Sequence, residues 1–89
     1  MKHVINHIIA HKIEAAMDGF LATATVTISR LEENEIGDTI RVPALKFDVH
    51  HKVDDIQAAV AGVLRMACAQ ACEALVRLDG QGAESKMAA

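Results

Sequence analysis

Between Val4 and Phe20, apolar residues recur in steps of three and four positions. This spacing places them on one side of a helix and leaves the polar residues on the other side. Gly19 stands where such a helix is expected to end, because glycine readily adopts the left-handed conformation found after a last helical turn. The pattern predicts an amphipathic first helix whose apolar face is formed by Ile5, Ile8, Ile9, Ile13, Ala16 and Phe20.

The next segment alternates between apolar and hydroxyl-bearing residues from Ala22 to Ser29. A period of two is typical of a strand with one buried and one wet face. A second strand is predicted over residues 38–50, although its alternation changes phase at Pro43, which cannot donate a hydrogen bond to a neighbouring strand. A β-bulge near Pro43 and Ala44, an edge position, or a break in the strand would explain this change. The acidic residues between the strands predict a connecting loop that includes Glu32, Glu33 and Glu35.

A long apolar segment follows Asp54 and Asp55, either of which can cap the N-terminus of a helix. This second helix is predicted to end near Leu78, with Gly80 beyond it. At about 100° per residue, its predicted core stripe comprises Ile56, Val60, Val63, Leu64, Ala67, Ala71, Leu75 and Leu78. Another face consists mainly of small residues, which permit a close approach of a second helix. We expect an interface there, formed by Ala58, Ala61, Gly62, Arg65, Ala69, Cys72 and Val76.

Together these elements predict an α+β fold in the order helix, strand, strand, helix. The strands are expected to form a two-stranded antiparallel hairpin, with the second strand bulged near Pro43. Residues 1–80 would form a single α+β domain, and the small and polar residues 81–89 a disordered tail. A two-stranded sheet is marginal alone, so we expect a homodimer that extends the sheet or pairs the long helices. A monomer whose first helix covers the small-residue face is the alternative.

The chain has 89 residues, a formal net charge of −3 and two aromatic residues, both phenylalanine. Without a basic excess or further aromatic rings, it is not expected to bind nucleic acid. The long helix has the length of a membrane span, but its polar residues would need partners in lipid, so no membrane association is predicted. Polar residues also interrupt the apolar N-terminal segment, which predicts a cytoplasmic protein rather than a secreted one. The polar residues of the long helix are Gln57, Arg65, Gln70 and Glu73.

Three histidines recur every four residues within the predicted first helix. On a helix, His3, His7 and His11 would share one stripe, with Glu14 close to the same line. Imidazole and carboxylate groups bind zinc or nickel, so these four residues form a candidate metal site. Alternatively, the histidines are the polar positions of an amphipathic helix, because structural zinc sites usually draw ligands from more than one element.

Four other residues could take part in catalysis. His50 and His51 could act as acid and base near neutral pH, and Cys68 and Cys72 could react as a pair. The CxxxC spacing differs from the CxxC of redox motifs, however, and both cysteines are expected to be free, buried thiols. The sequence also contains no phosphate-binding glycine loop, nucleophile elbow or HExxH motif. We therefore expect a non-enzymatic homo-oligomer that binds an unidentified protein; a metal-binding protein and a small hydrolase or redox enzyme are the alternatives.

Overall fold

The structure, a computed structural model, describes the backbone of residues 2–88 and the side chains of residues 2–80. Three antiparallel strands form a sheet in the order β1-β2-β3, and the C-terminal helix packs on one face of this sheet. The α+β class agrees with the prediction, but the predicted two-stranded hairpin is wrong because the sheet has a third strand. The elements are β1 (His3–Ala16), β2 (Gly19–Glu33), β3 (Thr39–Val53) and α1 (Ile56–Ala88).

β1 occupies the segment that was predicted to be the first helix, and two β-bulges explain the error. Its pairing with β2 shifts register at Asn6 and again at His11. Each shift inserts one extra residue, so apolar side chains on either side of the bulge are three positions apart although they face the same side of the sheet. A bulged strand therefore shows the spacing that predicts a helix. The pairs that share a face in this way are Ile5 with Ile8 and Ala10 with Ile13.

Gly19, the predicted end of that helix, instead begins β2 directly after a tight turn. Its φ of 154° lies in a region that residues with a side chain rarely adopt. A Cβ atom at this position would also collide with the backbone carbonyl of Val53 at the end of β3. The glycine is thus required by the turn and by the neighbouring strand.

β2 is the central strand, and its alternation produces one apolar and one hydroxyl-bearing face, as predicted. The apolar residues Ala22, Ala24, Val26 and Ile28 point toward α1 and are fully buried. Because most of the facing side chains are small, the helix and the sheet pack closely into a thin core. The buried stripe of α1 that covers them consists of Ala59, Val63, Ala67, Ala71 and Ala74.

β3 contains the bulge predicted near Pro43 and forms one edge of the sheet. Ile28 pairs with Leu45 and Ser29 pairs with Pro43, so Ala44 has no partner on β2. β1, the other edge, contains two bulges of its own. Bulges and edge prolines discourage the addition of further strands. The protected edges are therefore poorly suited to extending the sheet, and a dimer that does so stays a prediction.

α1 begins where the aspartates predict a helix start. The Asp55 carboxylate accepts a hydrogen bond of 2.9 Å from the backbone N–H of Ala58 and so caps the helix. The helix is assigned to Ala88, beyond the predicted end near Leu78. The predicted tail, 81–89, lies outside the residues whose side chains are described.

The buried side of α1 differs from the predicted core stripe at its ends. Ile56, which was predicted to be in the core, is 45% exposed, whereas Ala59 and Ala74 are buried. The far end of the helix is tied to β1, because Nδ1 of His3 lies 2.8 Å from Oδ1 of Asp79. The backbone N–H of His3 also donates to that oxygen, at 3.1 Å. This contact fixes the C-terminal part of α1 against the start of β1.

Candidate functional site

The outer helix face is the side of α1 that points away from the sheet. At about 100° per residue, the seven predicted interface residues project within an arc of about 100°, opposite the buried stripe. All of them except Gly62 are exposed. We define the outer helix face by Ala58, Ala61, Gly62, Arg65, Ala69, Cys72 and Val76.

This face is apolar for a surface in contact with water. Val76 is 74% exposed, and Met66 at the margin of the face is 36% exposed. By length and composition, Ile56–Gly80 could cross a membrane, because an 18-residue window within it has a mean hydropathy of 1.4; 33% of that window is buried in the fold. Arg65 and Glu73 form no ion pair or hydrogen bond with any residue whose side chain is described. The outer helix face therefore combines exposed apolar groups with one unpaired charge, Arg65, and has the opposite unpaired charge, Glu73, at its margin.

A groove lies beside the outer helix face, between α1 and the edge strand β3. Its volume is about 480 Å³, and its walls include His51 and Val53 from β3 and Met66 and Ala69 from α1. Gly62 also lies in this groove, where a Cβ atom would collide with the His51 imidazole. Gly62 is therefore partly buried against the sheet, whereas the other six residues of the outer helix face are exposed.

The open sheet face lies on the side of the sheet away from α1. Thr25 Oγ1 donates a hydrogen bond of 2.7 Å to Oδ1 of Asp48 on β3 and lies 2.8 Å from Nε2 of His11 on β1. Thr23 Oγ1 lies 3.0 Å from Nδ1 of His50. The polar groups of this face thus bond one another across the three strands. We define the open sheet face by Thr23, Thr25, Thr27 and Ser29 with the flanking His11, Asp48 and His50.

Thr25, His11 and Asp48 include the residue types of a catalytic triad, but their hydrogen bonds have a different order. In a triad, the base takes the proton of the nucleophile and the acid orients the base. Here the Thr25 hydroxyl donates its proton to Asp48, so the N–H of His11 must donate to the same hydroxyl oxygen. A nitrogen that already holds a proton cannot accept another. The arrangement therefore joins three strands rather than activating the hydroxyl.

A shallow cavity of about 740 Å³ opens on the open sheet face. Its walls include His7, Lys46 and Ile9, which point away from α1; Leu45 also borders the cavity, but it pairs with Ile28 and so points toward α1. Ile9 is 50% exposed and Leu45 is 38% exposed. Exposed aliphatic groups beside hydrogen-bonding groups are typical of a surface that binds another protein reversibly.

The predicted metal ligands do not come together in the structure. Because β1 is a strand with a bulge at Asn6, His3 and His7 face opposite sides of the sheet. His3 points toward α1 and bonds Asp79, whereas His11 lies on the open sheet face. Among the residues with described side chains, no three His, Cys, Asp or Glu residues are close enough to hold a metal ion.

Glu14, the fourth predicted ligand, is engaged by a neighbouring lysine. Lys12 Nζ lies 2.7 Å from Glu14 Oε1, and this hydrogen bond lowers the pKa of Glu14 below its ordinary value. In the same way, the hydrogen bond from His3 lowers the pKa of Asp79. Both carboxylates therefore stay charged to lower pH through contacts within the chain.

The remaining candidates for catalysis are also separated. Cys68 and Cys72 are free, as predicted, but both are exposed rather than buried because they lie on the side of α1 away from the sheet. His50 lies on the open sheet face, whereas its neighbour His51 faces α1, since consecutive strand residues point to opposite sides.

Sequence reasoning missed the link between Thr25, His11 and Asp48. The alternating threonines indicated a polar face, but only the strand register shows which residues stand beside them. Comparisons of the chain with protein-family models, curated proteins and solved structures gave no match. Inferences about function therefore depend on the two exposed faces.

Proposed function

We propose that this protein is a non-enzymatic binding module that works as a homo-oligomer. The observation that supports this proposal is the exposure of the outer helix face, on which Val76 is 74% exposed and the neighbouring residues are mostly alanine. Water-exposed apolar surface is unfavourable, at roughly 25 cal/mol per Å². Interfaces of permanent homo-oligomers bury surfaces of this apolar type. The outer helix face is accordingly the self-association surface.

The open sheet face is the surface that remains for a second protein. Its threonine, histidine and aspartate side chains already bond one another, so it is stable in water without a cover. Interfaces that form and dissociate are about as polar as ordinary protein surface. This face, with the exposed Ile9 on it, is therefore suited to a partner bound reversibly.

Sedimentation equilibrium of the full chain tests self-association. The mass of one chain is 9.5 kDa, and we expect a species of at least twice this mass at micromolar concentration. A folded species that keeps the single-chain mass at the highest attainable concentration would contradict the proposal.

The partner surface is tested separately, by capture from an extract of the source cells. A variant with Thr27→Glu and Lys46→Glu changes the open sheet face and leaves α1 intact. We expect the wild-type chain to retain a specific protein that this variant does not retain, with both chains of equal oligomeric mass. Equal capture by the two chains, or no capture by either, would contradict the assignment.

A further inference from the structure

The charges along α1 suggest how a second copy of the chain would be arranged on the outer helix face. Arg65 and Glu73 are eight residues apart, which corresponds to about 12 Å along a helix axis, so they cannot pair within one chain. In a parallel helix pair, each charge would stand beside the same charge of the other copy, which is unfavourable. In an antiparallel pair centred on Ala69, which lies midway between them, each Arg65 stands beside Glu73 of the second copy.

The sizes of the side chains independently indicate Ala69 as the centre of the helix pair. Gly62 and Val76 are both seven residues from Ala69, so the same antiparallel arrangement places each Val76 opposite Gly62 of the second copy. Val76 is the most exposed apolar side chain of the outer helix face, at 74%. Gly62 lies in the groove of about 480 Å³ between α1 and β3. The His51 imidazole fills the space where a Cβ atom of Gly62 would lie, but the groove beside it is open, so the largest projection meets a concave part of the surface.

The spacing of these residues suits a helix pair. Positions 58, 62, 65, 69, 72 and 76 follow one another in steps of four and three, which keeps them on one seam between two helices. Small residues at the centre permit the close end of the usual interaxial range of about 8–10 Å. A lipid membrane is a less favourable partner for the outer helix face than a second copy of the chain, because Arg65 and Glu73 would enter lipid unpaired.

We propose that two copies of this chain associate through antiparallel α1 helices, with the twofold axis at Ala69, reciprocal Arg65–Glu73 ion pairs, and Val76 in the groove beside Gly62. This arrangement depends on the proposed self-association and specifies its geometry. The twofold axis makes the two ion pairs and the two Val76 contacts equivalent.

A charge-exchange series tests the ion pairs by sedimentation equilibrium at low ionic strength. Arg65→Glu and Glu73→Arg each place like charges together twice, and we expect each to weaken association about tenfold. The double variant restores both pairs with reversed polarity, so its dissociation constant should return to within about threefold of wild type. Lys2→Glu, which makes the same charge change as Arg65→Glu at an exposed site on β1's side of the molecule, should leave association unchanged. A double variant that associates as weakly as either single variant would overturn the proposal.

Disulfide cross-linking tests the position of the axis. In a chain with Cys68→Ser and Cys72→Ser, Ala69→Cys would face its own copy across the axis at a Cα separation of about 3.5–5.5 Å, which overlaps the lower part of the disulfide range of about 4.4–6.8 Å. We expect a covalent dimer under mild oxidation. Gln57→Cys in the same background is the matched control, because it is exposed but lies about 120° around the helix. It should remain uncross-linked.

The outcomes separate this arrangement from the broader proposal. An oligomer without the Ala69→Cys cross-link would overturn the antiparallel arrangement and leave self-association intact. A chain of 9.5 kDa at all concentrations would overturn both. Flotation of the wild-type chain with neutral lipid vesicles, without self-association in their absence, would also overturn both and indicate a membrane as the cover.

Discussion

Neither the outer helix face nor the open sheet face is covered by another element of the described chain, but their side chains are in opposite states. On the open sheet face Thr23 and Ser29 are buried, whereas the flanking His11, Asp48 and His50 are exposed. On the open sheet face, Thr25 bonds His11 and Asp48, so the polar groups have partners within the chain. On the outer helix face, Val76 is exposed, and the flanking charges of Arg65 and Glu73 are unpaired among the described residues. Exposure alone therefore does not identify an interface. The outer helix face differs from the open sheet face because its exposed charges and apolar groups have no partners within the described chain.

The two faces are expected to respond differently to substitution. Changes on the outer helix face should alter self-association and leave the fold of one chain intact. Changes on the open sheet face should alter the stability of the sheet or its partner and leave the oligomeric mass unchanged. Three predictions test this difference, and a fourth tests the contact that joins α1 to β1.

The largest effect is expected from a charge at the centre of the outer helix face. Ala69→Glu would place two buried, like charges at the twofold axis, and we expect self-association to weaken about a hundredfold. Within the chain, the new carboxylate is four residues from both Arg65 and Glu73, so its effects on the helix nearly cancel. Thr27→Glu adds the same charge to the open sheet face and should leave the mass from sedimentation unchanged. Equal effects of the two variants on self-association would contradict the proposed difference between the two faces.

A smaller effect on stability or association is expected when valine is replaced by alanine on either side of α1. Val63 is fully buried against the sheet, whereas Val76 is 74% exposed. Val63→Ala should lower the free energy of unfolding by about 2 kcal/mol, because it removes buried methyl groups and leaves a cavity. Val76→Ala should change the unfolding of a dilute, monomeric sample by less than about 0.5 kcal/mol and weaken association instead. Urea titrations at low concentration, combined with sedimentation, measure both quantities.

A still smaller effect is expected on the open sheet face. Thr25→Val keeps the shape of the side chain but removes the hydroxyl between His11 and Asp48, and should cost about 1 kcal/mol of unfolding free energy. Thr27→Val is the matched control, since Thr27 lies on the same face without a side-chain hydrogen bond to the described residues. Thermal unfolding should separate the two variants, and neither should change the oligomeric mass. A stability loss equal to that of the control would show that the bonds across the sheet contribute nothing.

The smallest effect concerns the contact that ties α1 to β1. The hydrogen bond from His3 lowers the folded-state pKa of Asp79 below its ordinary value of 3.8. The stabilisation is therefore present above pH 3.8 and is lost as the pH falls through the lower folded-state value. Asp79→Asn should lose this pH dependence. Unfolding curves between pH 2 and pH 6 measure the difference, and parallel curves for wild type and variant would contradict it.

The success of sequence reasoning differed between β1 and α1. α1 was predicted together with a cap at Asp54 or Asp55, of which the structure selects Asp55, because the helical spacing and the capping residues are local signals. β1 was predicted to be a helix because the bulges at Asn6 and His11 give its apolar residues a spacing of three. The bulge at Ala44 in β3 was predicted, since Pro43 marked the change of phase. An unmarked bulge has no comparable signal in the sequence.

The bulge at Asn6 also explains why the candidate metal ligands do not come together. His3, His7 and His11 are evenly spaced, and even spacing would keep them together on a regular helix or on a regular strand. The shift at Asn6 turns His3 toward α1, where it bonds Asp79, and leaves His7 on the other side. The partners of His3 and His11, Asp79 and Thr25, are far away in the chain, so spacing alone could not identify them.

The order of residues determined the two-faced central strand, the capped apolar helix and the small-residue surface of that helix, because each depends on periodicity within one element. The fold decided which residues of β1 share a side, which hydroxyl groups meet His11 and Asp48, and how Gly62 lies against His51. These features arise from register and packing between segments that are distant in sequence. A local pattern determines which faces an element can present, whereas contacts between elements determine which of those faces are covered.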